Sequence, residues 1–420
     1  MSMFSTTGAW ADVDPREAVS RAVSAVEGAP RTGSAVPLPL MSQPAAGGTR
    51  WAADALGLAA QLLPELPVDI GPAGWRLLGA RAATAARSLD ARREASRLGR
   101  TLDAMSEYAE RSGLPVLVSV PGPWTLVRRL GLPDESPALG DPGARRDVIQ
   151  AYAEGLRQLR ERVQGIVGEG PAGPDDPAPL VRIRLVEEEL DAVLTGTVPT
   201  ASGYRTLPAV PDAQVTAALR SLIARTGEGT ILSLPSAGTV RLAGKAIPHT
   251  QLARDAGVSA LAVGLERSGG GSWAGDRPQS GTGTRPGSGA QQEVAAHAGT
   301  RPGDRARTAA RPGTPLTAQA VRRWERLAEW TEAGGQLWLR VPPHAAAAPE
   351  AVTGWVEAVA EPWQAVGMNR EGLAAFGILT GEELPVGAHP LLPEDANPER
   401  SRAHLRMASG LARALADQAG

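Results

Sequence analysis

Glu187 leaves an apolar, strand-like run directly, and no other side chain in this chain is better placed to do chemistry. It follows Val181–Val186 and heads the cluster Glu187-Glu188-Glu189. A carboxylate at a strand end can move a proton or hold a cationic group such as an amine. The cluster as a whole also reads as a solvated helix start, where negative charge is favoured by the helix dipole. Only Glu187 is therefore taken as a candidate catalytic residue. Trp10, Trp75 and Trp124 each follow another such run, in a chain with ten tryptophans and two phenylalanines. An aromatic rim suits stacking on a planar ligand such as a pterin or a base. The alternative is that these rings fill gaps between loops and helices, as Trp324, Trp330 and Trp355 do on helical stretches.

Other reactive groups are sparse. Ser119, Ser233 and Ser236 lie near strand ends but have no assigned base, so nucleophilic catalysis has no support. The five histidines, His249, His297, His344, His389 and His404, are scattered with no i, i+4 pair, and read as ordinary surface residues. His344 follows the seventh run and His389 the eighth. With Glu382 or Glu383 they would make a His/carboxylate metal set, although nothing in their spacing demands one, and no metal ligand is assigned. Cysteine is absent, which removes disulfides, thiolate nucleophiles and thiolate ligands.

The elements that must position these residues are short apolar runs bounded by Gly or Pro, as strands buried on both faces require. They are Met3–Thr7, Pro67–Ile70, Val116–Val120, Val181–Val186, Thr230–Leu234, Ala260–Leu265, Leu337–Val341 and Phe376–Leu379. Helical patterns lie between them. Leu98, Leu102, Met105 and Ala109 share one face, as do Val215, Leu219, Leu222 and Ile223. Asn397-Pro398 is an N-cap with proline at the first position of a last helix. Eight strands with interleaved helices predict an α/β fold of the (β/α)8 type, whose functional face is the set of loops after the strands. A doubly wound sheet is the alternative, but no Gly-rich dinucleotide turn follows any strand.

The stretch 268–313 stands apart. It is rich in Gly, Ser, Thr, Arg and Pro, and Gly283-Thr284-Arg285-Pro286-Gly287 recurs at Gly299-Thr300-Arg301-Pro302-Gly303. Such a sequence buries too little apolar surface to offset its ordering entropy, so it reads as a disordered loop after the sixth strand. The barrel is thus divided into 1–267 and 314–420 around this insert. The shorter break 169–179 has similar character.

A net charge of -2 supplies no field for nucleic acid or a membrane surface. No run approaches the roughly 18 apolar residues of a membrane helix, and no secretory signal is visible at the start. The expected location is the cytoplasm. Lys245 is the sole lysine among 43 basic residues. Arginine is the default cation here, and by itself is weak evidence of anion binding.

Several loops carry a family likeness when taken in order. They are Gly8-Ala9-Trp10 after the first strand, Val68 to Arg76 after the second, and Pro121-Gly122-Pro123-Trp124-Thr125-Leu126 after the third. Glu187-Glu188-Glu189 and Leu194 to Gly203 follow the fourth. Together these resemble the cobalamin-independent methionine synthase family, in a short single-barrel form corresponding to its C-terminal catalytic domain. That resemblance implies methyl transfer from a folate-type donor to a homocysteine-like thiol, with zinc lowering the thiol pKa. It implies a substrate site at Gly8, Ala9, Trp10, Trp75, Trp124, Thr125 and Ser233, with the amine-binding role falling on Glu187 alone. The family's His-x-Cys zinc ligands fall on Ser233 and Pro235, and its last cysteine falls near Glu382 or Glu383. The first two replacements supply no strong zinc ligand. No cofactor is expected from the residues themselves; zinc and folate come only with the resemblance. Two functions follow as expectations. One is a methyltransferase-like enzyme whose metal is dispensed with or rebuilt. The other is a non-catalytic relative that binds an amino acid or a folate-like molecule.

Overall fold

The computed structural model describes residues 3–10, 14–27, 35–37, 40–41, 55–79, 89–110, 114–168, 180–265, 316–342, 349–382 and 397–420. Eight of its strands form one parallel sheet: β1 (Met3–Thr6), β2 (Val36–Pro37), β3 (Val116–Pro121), β4 (Val181–Val186), β5 (Thr230–Leu234), β6 (Ala260–Gly264), β7 (Gln336–Val341) and β8 (Gly377–Thr380). Their spatial order is β1-β8-β7-β6-β5-β4-β3-β2, so chain neighbours are sheet neighbours throughout. The two ends of that order meet: Ala35 donates its N–H to the Phe4 carbonyl at 3.0 Å, and Ser5 Oγ donates to the Ala35 carbonyl at 2.9 Å. The sheet is a nearly closed TIM-type barrel, as the alternation of strands and helices predicts.

Helices cover its outside. They are α1 (Pro15–Glu27), α2 (Ala55–Gln61), α3 (Leu89–Ala109), α4 (Pro123–Arg129), α5 (Pro142–Val167) and α6 (Leu190–Thr195). The series continues with α7 (Asp212–Thr226), α8 (His249–Asp255), α9 (Ala318–Glu332), α10 (Pro349–Ala365) and α11 (Pro398–Gln418). Leu102, Met105 and Ala109 of α3 are buried, as are Val215, Leu219 and Leu222 of α7. The helix start read at Asn397 is present, with Asn397 Oδ1 accepting from the Arg400 amide at 2.9 Å.

One expected barrel strand lies elsewhere. Val68–Gly71 pairs antiparallel with Gly74–Leu77 in a hairpin outside the barrel, and β2 is the two-residue Val36–Pro37 instead. Two residues are too few to show a period, and Pro37 lacks the N–H that a longer ladder would need. The expected insert 268–313, the break 169–179 and His297, His344, Glu383 and His389 lie outside the described residues.

Apolar side chains fill the bore as well as the sheet–helix layer. Ala35, Leu117, Ile231, Ala260, Ala262, Trp338 and Leu379 form the inner cluster. Trp338 fits because its neighbour on β8 is Gly377, where a Cβ would overlap the indole ring. Outside, Trp363 meets Phe376 edge-on at 4.9 Å and Trp324 at 6.4 Å. Such aromatics bury roughly 150–250 Å² each and dominate a core of this kind.

Candidate functional site

The ladder of β4 places Glu187. Gly122 donates to the Val186 carbonyl at 2.8 Å and Glu187 donates to the Ser233 carbonyl at 2.9 Å. The Glu187 side chain therefore emerges above β4 against the start of α4. That helix begins with Gly122 as N-cap and Pro123 next, so no side chain of its own caps it. Its free amides turn to Glu187: Trp124 N–H donates to Oε1 at 2.9 Å, and Thr125 N–H donates to Oε2 at 2.8 Å. Thr125 Oγ1 adds a third bond to Oε2 at 2.7 Å. Glu187 is fully buried. Three of the carboxylate's roughly four acceptor directions are thus taken by one helix terminus.

Burial pushes the Glu187 pKa up from 4.5 to about 7, against the pull of the Trp124 and Thr125 donors, with Glu189 adding a further upward push. Tyr152 is buried beside it and donates to the Pro121 carbonyl at 2.8 Å. Burial first, and then the charge of Glu187, holds that phenol well above its ordinary value.

The next layer of the mouth is also polar. Arg184 of β4 is fully buried in the barrel interior. Its Nε donates to Ser233 Oγ at 3.0 Å, and its Nη1 lies 3.5 Å from the Thr7 carbonyl, next to Gly8 and Ala9. Ser119, its register partner on β3, has a buried hydroxyl with no hydrogen-bond partner among the described residues. The residues here do not fit zinc. Ser233 offers a hydroxyl already engaged by a guanidinium, and Pro235 offers no ligand. Among the described residues no three His, Asp or Glu side chains cluster to hold a metal. Glu382 is ion-paired to Arg400 at 2.8 Å.

The structure therefore brings Glu187, Trp124, Thr125 and Ser233 together, with Gly8 and Ala9 joined to them through Arg184 and Thr7. Trp75 belongs to the separate hairpin and packs against Gly57 of α2. Trp10, Trp75 and Trp124 are at most 1% exposed, and each indole N–H is buried without a partner among the described residues. Their rings face inward in this conformation and present no open stacking face.

Three features escaped the sequence. His249 and His404 are buried, not surface residues. His249 links α6 to the loop after β5, with Nε2 at 2.7 Å from Asp191 Oδ1 and Nδ1 at 3.1 Å from the Ser236 carbonyl. Asp191 lies 58 positions away, a separation at which no local spacing signals a pair. The third feature is a cleft of about 210 Å³ where the hairpin of Trp75 meets the end of α4 and the loop at Thr200; Arg76, Arg128 and Arg129 line it. An arginine-rich composition hid all three cations.

No protein-family model and no curated protein matches the sequence. Among solved structures, a B12-independent methionine synthase from Shewanella sp. W3-18-1, bound to selenomethionine, is similar at 9% identity and a TM-score of 0.38, over 84% of this chain and 75% of that one. A β-glycosidase from Thermosphaera aggregans is similar at 8% identity and a TM-score of 0.27, over 85% and 78%. At these scores the likenesses add nothing to the strand order, which defines the (β/α)8 class by itself.

Proposed function

We propose that this barrel is a non-catalytic, metal-independent binder of a small molecule, an amino acid or a folate-like compound. The loops Gly122–Leu126 and Leu194–Gly203 carry the resemblance to a methyltransferase barrel, and with it the reading of methyl transfer from a folate-type donor to a homocysteine-like thiol. That reaction needs a thiolate, and a free thiol with a pKa near 8.5 supplies few at neutral pH. The observation that carries the non-catalytic reading is the contact between Arg184 and Ser233. The position the resemblance gives to a zinc ligand is filled by a serine bound to a fixed guanidinium. Glu187, the residue the resemblance gives to the substrate amine, is occupied with the amides of α4.

The test is calorimetric titration of the purified protein with homocysteine, methionine and 5-methyltetrahydrofolate, with and without added zinc, beside elemental analysis and a methyl-transfer assay. The expected result is saturable binding of at least one ligand, unchanged by zinc, with no bound zinc and no turnover. Zinc held at one per chain, or methionine formation, would overturn the reading.

A further inference from the structure

The arginine-lined cleft lies at the far end of α4 from Glu187; Glu135 also lines it, and its three guanidiniums are set against two carboxylates, Glu135 and Glu189. Arg129 is paired with Glu189. Among the described residues Arg76 meets Glu135 alone, at 3.9 Å. Among the described residues Arg128 makes no hydrogen bond and no ion pair, and the Nε atoms of Arg76 and Arg128 are both buried without acceptors. A buried guanidinium donor left unpaired is unfavourable, and native structures rarely keep two side by side without a use. Burial holds Arg128 below its ordinary pKa, Glu189 partly offsets this, and Arg129 adds to it. It still carries its charge at neutral pH.

Backbone rather than charge aims these groups. Arg76 folds over Gly71 of its own hairpin, where any Cβ would meet Nε at 2.9 Å. The hairpin is in turn tied to the loop after α4, with Gly131 N–H donating to the Trp75 carbonyl at 2.9 Å and Leu77 N–H to the Gly131 carbonyl at 2.8 Å. Arg128, at the end of α4, is thereby fixed opposite the hairpin. At about 210 Å³ the cleft falls below the roughly 300–1,000 Å³ of drug-sized pockets.

We propose that this cleft is a binding site for a small anion, a carboxylate or a phosphate group, gripped by Arg128 and Arg76. Planar guanidinium donors suit both groups, which a point charge such as lysine would hold less specifically. The site is independent of the zinc question. Binding here would stand even if the barrel mouth proved catalytic, and failure here would leave the reading of the mouth untouched.

The experiment is calorimetric titration of the full chain with inorganic phosphate and, separately, with succinate. Wild type is compared with Arg128→Gln, Arg128→Lys, Arg76→Gln and the surface control Arg146→Gln. Saturable binding of one or both anions is expected, weakened at least tenfold in Arg128→Gln and Arg76→Gln, less in Arg128→Lys, and unchanged in the control. Which anion binds identifies the head group. Thermal melts confirm that each variant is folded, and Arg128→Lys carries the test should the glutamine variant fail to fold. No saturable heat from either anion at millimolar concentration, or equal affinity in every variant, would overturn the proposal.

Discussion

The carboxylate of Glu187 occupies the space that a side chain at Gly122 would need, and it performs the capping that such a side chain would normally supply. A Cβ at position 122 would overlap Cδ of Glu187. An N-cap is ordinarily filled by Ser, Thr, Asp or Asn from the same segment; here the acceptor comes from another strand, 63 residues away from Trp124. Gly122→Ala is therefore expected to displace the carboxylate and free the α4 amides. Overpacking and a lost cap together make that worth about 2–4 kcal/mol of stability. A urea melt within 0.5 kcal/mol of wild type, about the size of a neutral surface change, would show that the loop adjusts and that the close approach is incidental.

Glu187 also gives the fold a pH dependence of definite sign. Its folded pKa of about 7 lies above the ordinary 4.5. Between those values the folded state binds more protons than the unfolded one, so stability falls as pH rises. The contribution is fully present below about pH 4.5 and lost as pH passes through about 7, an effect of roughly 3 kcal/mol. Glu187→Gln should remove this component. The check is the urea midpoint of both proteins across the acid-to-neutral range, and an unchanged slope in the variant would detach the effect from Glu187.

These contacts show why the sequence was readable in some places and not in others. Seven strands were legible because each is an apolar run of four to six residues with Gly or Pro beside it. Val36–Pro37 has no such pattern, since its place is set by neighbours on both sides of a closing barrel. Pro67–Ile70 did read as a strand, and it is one; its antiparallel partner Gly74–Leu77 lay too close in sequence for a barrel crossover, and that spacing was the missed signal. Glu187 could be placed at the end of its strand from the sequence, but its fully buried, three-donor environment depends on α4. The His249–Asp191 pair and the arginine cleft are assembled from three or four segments each, which no local window contains.

The guanidinium at Ser233 predicts how the mouth would respond to introduced metal ligands. Ser233→His with Pro235→Cys introduces two zinc-binding side chains with a His-x-Cys spacing. Zinc entering there would face the Arg184 charge, and at a separation of about 4 Å and an effective dielectric of about 20 such repulsion amounts to several kcal/mol. The double variant is expected to hold little zinc against a chromophoric chelator. Adding Arg184→Gln, which removes the charge and keeps a hydrogen-bonding end, should tighten zinc at least tenfold. Equal zinc affinity in the double and triple variants would place the Arg184 charge outside the site.

The chain's single lysine offers a direct reading of the His249–Asp191 contact. Lys245 lies exposed at the turn of the hairpin formed by Thr239–Leu242 and Lys245–Pro248, which runs straight into His249 at the start of α8. The two central turn residues, Ala243 and Gly244, have φ of 48° and 83°, the left-handed pair of a type I′ turn. The hairpin is anchored at its far end by His249, held between Asp191 and the Ser236 carbonyl. Cleavage by a lysine-specific protease needs the hairpin to open, and its rate follows the open population when reclosing is fast. Losing this part-buried bond to a carboxylate, worth about 1–2 kcal/mol, should raise that population roughly five- to thirtyfold. His249→Ala and Asp191→Asn are both expected to be cut after Lys245 much faster than wild type, with the rest of the barrel intact. Ala243→Asn, which tolerates positive φ better than alanine, should slow the cut. If His249→Ala were cleaved at the wild-type rate, the hairpin would be held by its own ladder and by Val240 in the core, and the histidine would be a bystander.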